Sequence, residues 1–104
     1  MEVLLIHRLN GVVPPEMMAA SIEIAKKVTS NPKELVPEGK LIAAYAARVQ
    51  SMAICLWEVP NMEALMPSLE QMSMLGWNTD TIPVEKMETG IPKLEKALQA
   101  MQAK

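Results

Sequence analysis

Phenylalanine is absent from this 104-residue chain, and only Tyr45, Trp57 and Trp77 are aromatic. Any core must therefore be filled by aliphatic residues and by the ten methionines. A single cysteine, Cys55, excludes an intrachain disulfide scaffold and a thiol-rich zinc site. A single histidine, His7, argues against a His-built metal site within one chain, so no metal is expected. There are four glycines and neither a GxGxxG nor a phosphate-binding loop, so no cofactor is expected either. No apolar run approaches the roughly 20 residues that span a bilayer. The longest, Leu41 to Ala47, is strand-sized, which argues against a membrane partner. Ten basic and twelve acidic residues leave a net charge of −2, so no bulk attraction to nucleic acid arises. Glu2 precedes the short apolar run Val3 to Ile6 and His7-Arg8 follows it, the reverse of a secretory signal. With a lone unpaired cysteine, a cytoplasmic location is the expectation.

What is present is a chain that is 50% hydrophobic, far too apolar for disorder and long enough for one domain over residues 1–104. Glu2 to Arg8, bounded by Asn10-Gly11, reads as a strand. Pro14-Pro15-Glu16 opens a helix, because proline fits the first turn and an acid suits its dipole. Met18, Ile22 and Ala25 recur at helical spacing, with Met17, Ser21, Ile24 and Val28 alongside and a Glu23–Lys27 pair elsewhere. Ser30-Asn31-Pro32 stops that helix, and Lys33 to Gly39 is a polar connection. Lys40 to Val49 and Met52 to Val59 read as a hairpin turning at Gln50-Ser51. Asn61 caps a second helix, striped by Met62, Leu65, Met66, Leu69 and Met72 and kinked at Pro67. Trp77 to Met87 reads as a strand whose Pro83 demands an edge or a bulge. Thr89 caps a last helix with Pro92 in its first turn and an Ile91, Leu94, Leu98, Met101 stripe. The fold class is α+β. The order β-α-β-β-α-β plus a C-terminal helix is the ferredoxin-like pattern, with an antiparallel sheet ordered 4-1-3-2 and Pro83 on an edge.

Both faces of these strands are apolar. Val3 and Leu5 point one way, and Leu4 and Ile6 the other. Leu41, Ala43, Tyr45, Ala47, Val49, Met52, Ile54 and Leu56 share one hairpin face; Ile42, Ala44, Ala46, Ala53, Cys55, Trp57 and Val59 share the other. An antiparallel sheet with one wet face would alternate. Two helices cover one face only. The other is covered either by the C-terminal helix or by the sheet of a second copy. The second copy is preferred, because a sheet face is more apolar area than one short helix hides.

The Ala-rich strand after Gly39, the Trp57-Glu58-Val59-Pro60-Asn61 strand-to-helix junction and the closing Ile82-Pro83-Val84 strand resemble the dimeric α/β-barrel superfamily. Within it the chain is most similar to small muconolactone isomerase-like proteins and their uncharacterised relatives. The resemblance implies two sheets closing a barrel across a homodimer, sometimes in larger rings. The superfamily holds isomerases, cofactor-free oxygenases, haem-degrading enzymes and ligand sensors, so the fold does not decide the function.

The polar residues narrow the chemistry. His7 ends a central strand beside the start of the fourth, Trp77-Asn78-Thr79-Asp80, and Arg48 belongs at the same end. Glu58 lies at the opposite end, too far away for a His7–Glu58 dyad. His7 is the expected proton carrier and Asp80 its orienting carboxylate. Arg8 or Arg48 is the expected holder of a substrate carboxylate, although His7 and Arg8 point to opposite faces. Trp57, among Ala44, Ala46, Ala53 and Cys55, walls a ligand cavity or packs under a close helix; Trp77 joins the substrate-binding set. The plainer readings are a solvated strand end for His7, Arg8 and Arg48, core or interface for Tyr45, and an inert buried thiol for Cys55. The methionines from Met62 to Met74 read as core or as an adaptable pocket wall. Two functions stand side by side: an isomerase-like enzyme moving a proton on a small apolar or carboxylated molecule, and a non-enzymatic ligand-binding or assembly module. A haem-related role has a thin basis in one strand-end histidine.

Overall fold

The computed structural model describes residues 1–9 and 11–103. Asn10, one half of the expected Asn10-Gly11 stop, lies outside the described residues. The elements in chain order are β1 (Glu2–Leu9), α1 (Pro15–Ser30), α2 (Pro32–Leu35), β2 (Lys40–Ala47), β3 (Met52–Glu58), α3 (Met66–Met74), β4 (Trp77–Val84) and α4 (Met87–Gln102). The strands form one antiparallel sheet ordered β2-β3-β1-β4, which read from the other edge is 4-1-3-2. β4 is an edge, so Pro83 costs no ladder bond on its outer side.

Several local expectations are corrected. The β2–β3 turn is longer than two residues: a 3-10 turn, Arg48–Gln50, leads into Ser51 in the left-handed region at φ 49°. Gln50-Ser51 lacks the Asn-Gly chemistry of a tight hairpin, and the chain takes the longer route. A register shift between Leu41 and Ala43 places Leu41 opposite Trp57 and onto its face. Pro67 does not kink a continuous helix. It stands in the first turn of α3, after a separate 3-10 segment, Met62–Leu65, and the helix begins where proline is tolerated. Asn61 does cap that segment, its Oδ1 accepting from Ala64 N at 3.1 Å. α4 starts at Met87, before Thr89, because the N–H groups of Thr89 and Gly90 both reach back to Lys86 O. Glu23 pairs with Lys26 at 3.2 Å, and Lys27 reaches Glu34 of α2 at 3.1 Å.

One sheet face carries α1, α2 and α3. The core sits at its β1-start end, where Val3, Leu5, Val36, Cys55, Trp57, Val59 and Leu65 are buried together. Gly39 lets the chain close over this end: a Cβ there would meet Val36 Cγ1 at 2.6 Å and Trp57 Cε3 at 3.2 Å. The opposite sheet face carries Leu4, Ile6, Ile54 and Leu56, only half buried, and Tyr45 is 70% exposed. α4 does not fold over that face. It has no extensive packing on any other element among the described residues, and Ile91, Leu94, Leu98 and Met101 are 45–71% exposed. The chain is accordingly long, 58 × 29 × 21 Å, with a radius of gyration of 16.7 Å against about 13 Å for a compact domain of this length.

Candidate functional site

Between α1 and the sheet, running from the core residues Leu5, Cys55 and Trp57 toward His7, lies a cavity of about 400 Å³. That is within the range of small-molecule sites. Its floor is small: Ala44, Ala46 and Ala53 leave room that larger strand residues would fill. Met18, Ile22 and Ala25 of α1 form its roof, and Trp57 and Trp77 are among its walls. None of the described residues lining it is charged.

His7 is the polar centre of this cavity. β1 alternates, so Val3, Leu5 and His7 share the covered face, and the imidazole is 6% exposed. Nδ1 lies 2.7 Å from Thr79 Oγ1, the residue directly across the β1–β4 ladder. Nε2 has no hydrogen-bond partner among the described residues, yet no described buried side-chain nitrogen is left orphaned. Nε2 is therefore open to the cavity space. Burial lowers the His7 pKa from 6.5 to about 4, so the ring is neutral at physiological pH. In the tautomer that donates Nδ1–H to Thr79, Nε2 offers a lone pair. The same burial pushes the Cys55 thiol up from 9.0 to about 11 and keeps it protonated and unreactive.

Trp77 is fixed by a second polar pair. Its Nε1–H donates to Ser21 Oγ at 2.9 Å, and Ser21 in turn donates to Met17 O at 2.9 Å. This chain ties the first residue of β4 to the middle of α1 across the cavity.

The structure gathers His7, Trp57 and Trp77 at the cavity and leaves Arg8, Arg48 and Asp80 outside it. Asp80 does not orient His7. It faces the opposite side of the sheet and pairs with Arg8, both side chains more than half exposed. Arg48 stands in the exposed 3-10 turn. The expected end-to-end meeting of β1 and β4 is correct, since Arg8 lies opposite Asn78. The expected partner was off by one residue, and in a ladder one residue is the other face. Thr79 and Ser21, which position His7 and Trp77, were missed. Parity along β4 could have found Thr79 had the register been known.

No protein-family model matches this chain, and no curated protein matches it.

Proposed function

We propose that the cavity holds a small, neutral, largely apolar molecule and that His7 moves a proton on it, as an isomerase would. The observation that carries this is a buried neutral imidazole, held by Thr79 on one nitrogen and open to an uncharged cavity on the other. A C–H beside a carbonyl would give its proton to Nε2 and leave its electron pair on the ligand as an enolate. Return of the proton to another carbon completes an isomerisation. A pKa of about 4 makes His7 a weak base in the empty site. The ion pair formed on transfer offsets this, because each charge stabilises the other at low dielectric. With Arg8 and Arg48 outside, the carboxylated half of the sequence-based substrate class loses its support.

The same reading takes the chain as one half of a homodimeric α/β barrel, related in pattern to muconolactone isomerase-like proteins. The open sheet face of Leu4, Ile6, Ile54 and Leu56 supports it, since an antiparallel sheet left in water would be polar there. Light scattering should give about 23 kDa, twice the 11.5 kDa of one chain.

The test of the chemistry uses β-tetralone, a neutral bicyclic ketone with an exchangeable C–H. Binding is read from the fluorescence of Trp57 and Trp77, both at the cavity wall. Proton transfer is read by NMR as deuterium uptake in heavy water. Wild type should accelerate uptake and His7→Gln should return it to the background rate. Equal rates in the two proteins would remove the proton-transfer role.

A further inference from the structure

We propose that α4 crosses to a second copy of this chain and closes the mouth of that copy's His7 cavity. This rests on the paired-sheet reading above and adds to it. Three observations lead there. First, the α4 stripe of Ile91, Leu94, Leu98 and Met101 is continuous at helical spacing and has nothing on it. Secondly, the cavity opens beside edge strand β2, where Ile22 is 50% exposed and Ala44, Ala46 and Tyr45 are exposed as well. Thirdly, α4 does not reach that mouth in its own chain. It leaves from β4, at the opposite edge of the sheet, through only Glu85 and Lys86, and Lys93 pairs with Glu85 at 2.6 Å.

In a face-to-face pair whose two-fold axis runs along the strands, the β4 edge of one copy lies over the β2 edge of the other. An α4 leaving β4 then arrives at the partner's open cavity. Area supports the exchange. Four strands of seven or eight residues present ~500 Å² of sheet face per copy. That is short of the ~800 Å² per partner of a standard stable interface. Giving one 16-residue helix and receiving another adds a face of ~240 Å² each way and brings the total to ~1,000 Å² per partner. Charge argues against a lipid surface as the occupant. α4 carries Glu88, Lys93, Glu95 and Lys96, no net charge, and it has no aromatic anchor.

Ile22→Cys and Leu98→Cys, made in separate chains, test this directly. Mixed, allowed to exchange subunits and treated with a short bismaleimide, they should yield a covalent species of about 23 kDa, twice one chain, that neither variant gives alone. Buried Cys55, with its raised pKa, stays silent and is controlled by the single variants. Leu94→Glu/Leu98→Glu should weaken β-tetralone binding at least tenfold in the same preparation. Light scattering on wild type separates the two readings. A dimeric mass with no cross-link in the mixture overturns the α4 exchange alone. A monomeric mass overturns the pairing and the exchange together, and pelleting of that monomer with anionic vesicles would assign α4 to lipid instead.

Discussion

The helix-covered face of the sheet has two ends built on opposite plans. At one end Val3, Val36 and Leu65 are fully buried, and Gly39 has no room for a Cβ. At the other end Ala44, Ala46 and Ala53 hold the sheet surface low beneath α1, and a cavity of about 400 Å³ remains. The backbone is the same four-stranded ladder throughout. Small side chains at one end and the close approach of Val36, Gly39 and Leu65 at the other make one a site and the other a core. The one histidine falls in the hollow end, where burial removes its charge and the missing volume leaves one nitrogen free.

The largest effect should come from hollowing the packed end. Leu65 is fully buried in the core cluster. Leu65→Ala should cost about 3–4 kcal/mol, transfer and cavity terms together. Urea denaturation at fixed protein concentration measures it. A loss below about 1 kcal/mol would show that the packed end can collapse, and the contrast between the ends would go.

The second effect belongs to His7 and is nearly as large. Its folded pKa of about 4 lies below its ordinary 6.5, so the unfolded chain binds the proton more tightly. The resulting stability is fully present above pH 6.5 and is lost as the pH falls toward 4. The shift corresponds to roughly 3 kcal/mol. Stability measured from pH 7 to pH 4 should fall by that amount in wild type, beyond the slope shared by the carboxylates. His7→Gln should remove this extra slope. Identical pH profiles would mean that the imidazole is solvated and the hollow end wet.

Much of this contrast was legible in the sequence, and the part that was not has a physical cause. Alternation along β1 gave the residues that share a face without saying which face is covered, and the small residues around Trp57 left open whether a cavity or a close helix lies over them. The edge position of β4 followed from the ferredoxin-like strand order, and Pro83 agreed with it. Register was not legible. Asp80 and Thr79 are adjacent, both polar and both able to bond an imidazole, and periodicity gives the parity of a strand without its offset from its neighbour. Leu41 shifted face for a related reason, since a bulge inserts a residue that no pattern marks. The place of α4 was also hidden. Its stripe says that it must cover something, and the choice among surfaces depends on where the chain leaves β4.

Filling the hollow end gives a smaller change of opposite sign. Ala53 lies across from His7 in the central ladder and faces the cavity. Ala53→Leu adds apolar side chain into existing space, and strand positions favour the larger residue. Stability should rise by about 1 kcal/mol, while β-tetralone binding falls at least tenfold. At a packed position the same change would destabilise by a similar or larger amount. A destabilised Ala53→Leu would mean that the space beneath α1 is closed in solution.

The smallest effect lies one residue from His7 on the other side of the sheet. Arg8 pairs with Asp80, and both side chains are more than half in water. A pair so exposed gains little Coulomb energy over separate hydration and loses side-chain freedom on forming. Arg8→Met should therefore change the stability of the single chain by less than about 0.5 kcal/mol, and it should leave both β-tetralone affinity and deuterium uptake at wild-type values. His7→Gln, one position earlier, should abolish the uptake. The strand places neighbouring side chains on opposite faces, so two adjacent substitutions separate the chemistry of the cavity from the surface behind it. Loss of uptake in Arg8→Met would break that separation. It would mean that charge on the open face reaches the site, and the site would then have to be drawn across the sheet instead of on one side of it.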